Sequence, residues 1–295
     1  MVIRLKIYDT HLLPAKLQAI LKCYTYVFNP SLVILNGTSF MAIRVFDNQK
    51  QTILAFVYVW ENHDSIAQVN LSDFFHEAFG FSKVADPKLF IMNDEVCGSF
   101  NTSHATDTPN ELVFFKLKDK KVSQYFVCNY NNRMKTEKNW AFYSLNNELF
   151  VLYSLSPLRV LKAESFGLHA ITFKDFYVNE NQDFTNYSIG SPLVEVDGGY
   201  GFIAHKKYYR KGKRLYLGKA CTFLIGEKPM VKIHKKIIIH SLRSLLGTKF
   251  KFNKNLISCT YFSGIYKDRD NLILGYGVND VSWGLKVIKQ SKLWQ

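Results

Sequence analysis

The sequence predicts an all-β chain: a single five-bladed β-propeller over residues 1–295, with one or two short peripheral helices. Three observations predict it. Aromatic residues make up 15% of the chain, 17 Tyr and 24 Phe among them, and aromatic side chains suit the pleated, half-buried surface of a strand. A strand–polar turn–strand unit recurs five times, its turns starting near residues 36, 93, 146, 197 and 268. A strand-built unit of this length suits one blade per repeat. Helical patterning is confined to two short stretches. A pair of β-sandwiches is the structural rival, and sandwiches turn over every ~8–12 residues without a longer period.

Taken in order, Val2–Ile7 reads as a strand able to join the last blade and close the ring, which removes a sheet edge. Leu12–Cys23 carries Leu13, Leu17, Ile20 and Leu21 on one helical stripe. The five hairpins follow: Ser31–Leu35 and Phe40–Phe46 around Asn36-Gly37; Lys88–Met92 and Glu95–Phe100 around Asn93-Asp94; Ala141–Leu145 and Glu148–Ser154 around Asn146-Asn147; Pro192–Val196 and Tyr200–Lys206 around Asp197-Gly198-Gly199; Ser258–Tyr266 and Asn271–Tyr276 around Lys267–Asp270. Asn and Asp tolerate the left-handed backbone of tight hairpins, and Gly adopts it freely. The runs Thr52–Trp60, Leu112–Leu117, Ser123–Cys128, Arg159–Lys162 and Arg214–Leu224 supply further strands. Asn70–Gly80 reads as a helix capped by Ser72 and stopped by Gly80.

Lys and Arg outnumber Asp and Glu by 38 to 24, a formal net charge of +14. Such a surface favours anionic partners: nucleotide diphosphates, phosphorylated sugars, nucleic acid or acidic lipid. A solvated basic face accounts for most of these residues. The five cysteines include no CxxC pair, which argues against a zinc site or a disulfide framework and for a reducing, cytoplasmic setting. No apolar run reaches the ~18 residues of a membrane span, and Met1–Ile7 lacks the apolar core of a signal peptide. There is no Walker loop, G-x-S-x-G elbow, Rossmann fingerprint or metal-ligand spacing. The one Asp-x-Asp, Asp268-Arg269-Asp270, falls in the fifth turn, so no metal or other cofactor is expected.

Four passages carry candidate chemistry. Asp86-Pro87 presents a carboxylate where a strand begins, because a residue before Pro is pushed out of helical geometry. Tyr276-Gly277-Val278-Asn279-Asp280 places an amide and a carboxylate after a strand, a pair suited to vicinal sugar hydroxyls. Glu137–Trp140 precedes the third hairpin, and His205–Lys211 interleaves cations with tyrosines in a way that suits phosphate or single-stranded nucleic acid. Each passage alone is also an ordinary turn or a solvated face.

Together, in this order and on five hairpins in register, they resemble the five-bladed propeller family of inverting β-mannoside phosphorylases and related β-1,2-mannosyltransferases. Asn29-Pro30 with Arg44, Asp86-Pro87, Asp197-Gly198-Gly199 with His205, and Tyr276-Gly277 with Asp280 match that family's motifs; Ala85 and Lys88 depart from its Glu-Asp-Pro-Arg. The resemblance implies that Asp86 is the catalytic carboxylate, that Asn29, Asn279 and Asp280 hold sugar hydroxyls, and that Arg44, Lys138, His205, Tyr209 and Arg210 contact phosphate. A hydrolase normally uses two carboxylates flanking the bond; Asp86 alone is nominated, which favours phosphate or nucleotide chemistry. The leading expectation is an inverting mannosyltransferase using a nucleotide sugar, GDP-mannose favoured, with a cell-envelope or storage glycan as acceptor. A β-mannoside phosphorylase using inorganic phosphate is the alternative, and a non-enzymatic polyanion- or protein-binding propeller the third. Nucleic acid is not expected as partner; peripheral contact with an anionic membrane is.

Overall fold

The computed structural model describes residues 2–5, 10–62, 65–103, 109–182, 184–240 and 256–294. The chain is all-β, as expected, and its strands form five successive antiparallel meanders. The first is β2 (Tyr26–Leu35), β3 (Thr38–Asp47), β4 (Thr52–Trp60) and β5 (Ile66–Asn70), preceded by β1 (Val2–Arg4) and α1 (Ala15–Lys22). Helix α2 (Leu71–Phe79) leads to the second: β6 (Ala85–Met92), β7 (Glu95–Asn101), β8 (Leu112–Lys118) and β9 (Lys121–Tyr130). The third is β10 (Ala141–Leu145), β11 (Glu148–Leu155), β12 (Leu158–Phe166) and β13 (Ala170–Asn179). In the fourth, the short β14 (Tyr187–Ile189) and β15 (Val194–Val196) share β16 (Gly199–Arg210), followed by β17 (Lys213–Leu224) and β18 (Met230–Ile239). The fifth is β19 (Leu256–Asp268), β20 (Asn271–Val278) and β21 (Ser282–Lys289), ended by α3 (Ser291–Trp294).

All five predicted turns join the first hairpin of a meander, and the first three are the expected two-residue loops with both residues left-handed. The fourth and fifth turns are shorter than expected. Gly199 pairs with Val196 and Asp268 with Asn271, so Asp197-Gly198 and Arg269-Asp270 are the loops. Two-residue loops match the twist of the flanking strands, and the strands therefore extend until only two residues remain.

Apolar side chains fill the space between neighbouring meanders in five buried clusters. One lies between the first and second meanders around Phe75, Phe100 and Phe115; the next between second and third around Phe114, Trp140 and Phe142; another between third and fourth around Leu152, Phe202 and Phe223; another between fourth and fifth around Phe262 and Tyr276. The fifth cluster joins Ile273 and Leu285 of the last meander to Met41, Ile43 and Tyr58 of the first, with Leu17 and Leu21 of α1. Side-chain packing therefore closes the ring of meanders. Consistent with this, the turn-side ends of all five first strands line one cleft of about 680 Å³.

Three further details differ from expectation. Strand β1 does not join the last meander; it pairs in parallel with β18, and Leu5 lies in the cluster between fourth and fifth meanders. Residues 6 and 7 of the expected closing strand lie outside the described residues. Helix α2 is capped by Asn70, whose side chain accepts the Asp73 N–H, while Ser72 Oγ accepts the Ala55 N–H at 2.9 Å and ties the helix to β4. Its stop is Gly80 at φ 70°, as expected. Four cysteines are buried and unpaired, and Cys23 is exposed. No helix among the described residues is long and apolar enough to cross a membrane.

The seam between first and fifth meanders depends on missing side chains. A Cβ on Gly275 would overlap the Pro30 carbonyl oxygen, and one on Gly264 would press on Ser31 Cα at 2.7 Å. Backbone obstacles cannot rotate away as a side chain can. Gly275→Ala is therefore expected to lower stability by about 1–3 kcal/mol; urea unfolding at constant m-value is the measurement.

Candidate active site

Two successive meanders open with the same device. Asn29 and Asp86 each precede a proline, each has a left-handed backbone (φ 55° and 52°), and each lies at a bulge in its hairpin, between Phe28 and Ser31 and between Ala85 and Lys88. Asp86 thus leaves helical geometry through a left-handed backbone at a bulge rather than through extended backbone. Asn and Asp tolerate this region best among residues with a Cβ. The bulges turn both side chains to the same place. Asn29 Nδ2 donates to Asp86 Oδ1 at 2.8 Å, and Arg44 Nη1 from β3 donates to the same oxygen at 2.8 Å. Ser31 locks the two strands by accepting the Leu89 N–H at 2.8 Å and donating back to the Leu89 carbonyl at 3.3 Å. Gly277 leaves the space that Asn29 occupies, since a Cβ there would overlap Asn29 Oδ1.

The other three meanders converge on the same point. Asn139, left-handed at φ 63°, receives Lys88 Nζ at 3.2 Å and Tyr261 Oη at 3.0 Å on its side-chain oxygen. Tyr261 carries β19 into the site, and the His205 ring of β16 lies 4.5 Å from its ring. Asp280, also left-handed, follows β20 and makes no hydrogen bond or ion pair with the described residues. Burial pushes its carboxyl above the ordinary 3.8, the charge of Asp86 adds to the rise, and Arg44 and Arg214 oppose it. Burial also drives the Lys88 ammonium from 10.5 down to about 7, against the pull of Asp86 and with the push of Lys138. Lys207 is lowered by burial and by Lys138 and Arg214. Two carboxylates thus face a concentration of cations: Arg44, Lys88, Lys138, Lys207 and Arg214.

The sequence-predicted residues divide accordingly. Asp86, Asn29, Arg44 and Asp280 come together, and Lys138 joins them from the third meander. Arg44, expected on phosphate, instead holds Asp86 and stacks over Phe28 at 4.9 Å. His205, also expected on phosphate, is buried. Its Nε2 accepts the Phe262 N–H at 2.8 Å, so that nitrogen carries no proton. Burial and the charges of Lys88, Lys207 and Lys138 hold its pKa well below 6.5, so His205 is a neutral wedge rather than a cation. Asn279, expected on a sugar, spends its side-chain oxygen on the Cys259 N–H at 2.7 Å. Tyr209 is 64% exposed near the tip of the β16–β17 hairpin. Arg210 belongs to the face of β16 that carries Lys206 and Tyr208, opposite His205 and Lys207, because strand side chains alternate.

Lys88, Asn139, Lys207, Arg214 and Tyr261 were missed as site residues. Alternation along His205–Arg210 was the available signal for Lys207. Arg214 and Tyr261 had none, since nothing local distinguishes them from other strand residues. Glu137, prominent in sequence, is structural: its carboxylate accepts from Trp140 Nε1, Tyr153 Oη and the Met134 N–H at 2.7–2.9 Å. Among the described residues no group of three or more His, Cys, Asp or Glu side chains could hold a metal ion.

No protein-family model and no curated protein matches this sequence. Solved structures do. The chain superposes with a TM-score of 0.65 at 10% identity, over 90% of its length and 85% of the other's, on a structure described with the GH130 family of mannoside phosphorylases, which contains glycoside hydrolases that target β-1,2 mannosidic linkages in Candida mannan. It matches a β-1,2-mannobiose phosphorylase from Listeria innocua at 0.56 and 12%, over 92% and 91% of the two chains. It matches a GDP-Man-dependent mannosyltransferase from Leishmania mexicana at 0.58 and 16%, over 90% and 85%. The chain has the fold of these mannoside-active enzymes.

The Lys88 shift has a stability consequence. The folded chain disfavours protonated Lys88, so its burial penalty is fully present below about pH 7 and fades as pH rises from there toward 10.5. Unfolding free energy should therefore gain a rising component above pH 7, and Lys88→Met should flatten it. Urea titrations of both proteins at a series of pH values measure this.

Proposed function

We propose that this chain is an inverting mannosyltransferase that moves mannose from a nucleotide sugar, GDP-mannose first among candidates, to a glycan acceptor. In this reading the five meanders are the blades of one five-bladed propeller domain, and the starts of their inner strands form the active site. The observation that carries the reading is the charge balance there. Lys88, Lys138, Lys207 and Arg214 exceed the carboxylates even after Arg44 is assigned to Asp86. A nucleoside diphosphate brings more negative charge than one phosphate and uses more of these cations.

Asp86 is the base. Its free carboxylate oxygen takes the proton of the attacking acceptor hydroxyl, directly or through a sugar hydroxyl, as the acceptor oxygen bonds to the anomeric carbon. The bond from that carbon to the diphosphate breaks on the opposite face, and configuration inverts. Lys138, Lys207 and Arg214 stabilise the departing charge, with Tyr209 at the rim. Asn29 and Arg44 hold one oxygen of the Asp86 carboxyl and aim the other. Asp280, half-buried and without a hydrogen-bond partner among the described residues, accepts from sugar hydroxyls. No metal takes part; EDTA is expected to leave the rate unchanged. The acceptor is a cell-envelope or storage glycan, and the net charge of +14 suits work in the cytoplasm beside an anionic membrane surface.

The second reading is a β-mannoside phosphorylase, in which inorganic phosphate uses the same cations. A thermal-shift panel separates the two: GDP with GDP-mannose should raise Tm, and phosphate or mannose 1-phosphate alone should not. Stabilisation by the latter pair only would make the phosphorylase correct. Asp86→Asn should reduce turnover by about 10²–10⁴-fold with the fold retained; near wild-type turnover would remove Asp86 from the mechanism.

A further inference from the structure

A second cationic cleft lies at the opposite end of the strands from Asp86. It has a volume of about 930 Å³ and runs between the fourth and fifth meanders, floored by α3. Lys232 of β18, Lys267 at the end of β19, Arg269 in its turn and Lys289 at the end of β21 line it. None of the four forms an ion pair with the described residues, and Asp197 and Asp270 only partly offset them. His234 reports the same positive field: burial first, then the charges of Lys232, Lys236 and Lys219, lower its pKa below 6.5. Three strand ends from three sequence-distant segments thus place four cations against two carboxylates in one concavity, where fields are focused.

The remaining lining is of another kind. Gln290 and Ser291 offer amide and hydroxyl groups, with Thr222 Oγ1 paired to His234 Nε2 at 2.8 Å, beside the half-buried indole of Trp294, whose N–H is satisfied by the Cys221 carbonyl at 3.0 Å. Polar donors beside a flat aromatic wall, in a space of this size, suit two or three sugar rings. A membrane, by contrast, meets flat or convex surfaces.

We propose that this cleft binds a phosphate-bearing oligosaccharide, away from the reacting centre. The phosphate component stands on the cleft's own charge; the glycan component rests on the proposed mannosyl chemistry. An enzyme that extends a phosphorylated glycan gains effective concentration of acceptor by holding the chain at a second point.

The test is calorimetric titration of the full chain, at low salt, with phosphate-bearing mannan fragments and with the same fragments dephosphorylated. With the phosphorylated form, wild type should show a binding event that the dephosphorylated form lacks. Lys232→Gln/Lys289→Gln should weaken binding about tenfold or more, while Lys207→Gln/Arg214→Gln in the active site should leave a binding event of unchanged affinity. Lys232 and Lys289 are exposed and Lys207 and Arg214 half-buried, and matching thermal transitions would confirm the fold of each variant. Unaltered binding by the cleft variant overturns the proposal, as does loss of all binding in the active-site variant. Preferential binding of phosphatidylserine vesicles or RNA through Lys232 and Lys289 overturns the glycan assignment. A chain inactive in mannosyl transfer that binds through these lysines would sink the proposed reaction and leave this site standing.

Discussion

The segment Asn29-Pro30-Ser31 is the contact on which ring and site both depend. On one side it rests on the bare backbone of the fifth meander, where Gly264, Gly275 and Gly277 remove every side chain that would hold it away. On the other it binds the second meander through Ser31 to Leu89 and through Asn29 to Asp86. Ser263 Oγ adds a hydrogen bond to the Pro30 carbonyl at 2.6 Å. First, second and fifth meanders are thus registered by three residues. Any displacement of this segment moves the Asp86 carboxylate, because Asn29 and Arg44 both belong to the first meander.

The site stores conformational strain where it needs aim. Asn29, Asp86, Asn139 and Asp280 all hold left-handed backbones, each disfavoured by roughly 1–2 kcal/mol for a residue with a Cβ. Large apolar clusters between the meanders over-determine these conformations, so the strain persists. It also concentrates charge that would otherwise stay solvated. Lys88 is 4% exposed, with Asp86 favouring its charge and Lys138 opposing it, and its burial is a cost that a further anion would relieve. That electrostatic cost becomes binding energy when negative charge enters. Neutral His205 belongs to the same economy: accepting a backbone N–H, it fills space among lysines without adding repulsion.

Much of this was legible in one dimension because it is set by local chemistry. The Asn-Gly, Asn-Asp and Asn-Asn turns announced themselves, since few residue pairs accept two left-handed conformations. Asp86 was visible as a residue before proline and Gly277 as the glycine of a strand end, while Asn29 came only from the family resemblance. The errors were also local in origin. Ser72 and Asn70 are both good caps, and only tertiary contact with Ala55 assigned Ser72 elsewhere. Arg210 looked as suitable as Lys207 until β16 proved continuous and its alternation separated them.

The sequence by itself determined the all-β class, the five hairpins and their turn residues, and the candidacy of Asp86, because backbone conformation and strand periodicity follow from neighbours one or two positions away. Only the tertiary structure decided where β1 pairs, which cations surround the carboxylates, and that His205 is uncharged. Those properties arise from residues far apart in the chain, such as Asn139 meeting Tyr261 across 122 positions. Burial and summed charge depend on every segment that arrives at a point, and no single stretch of sequence contains that sum.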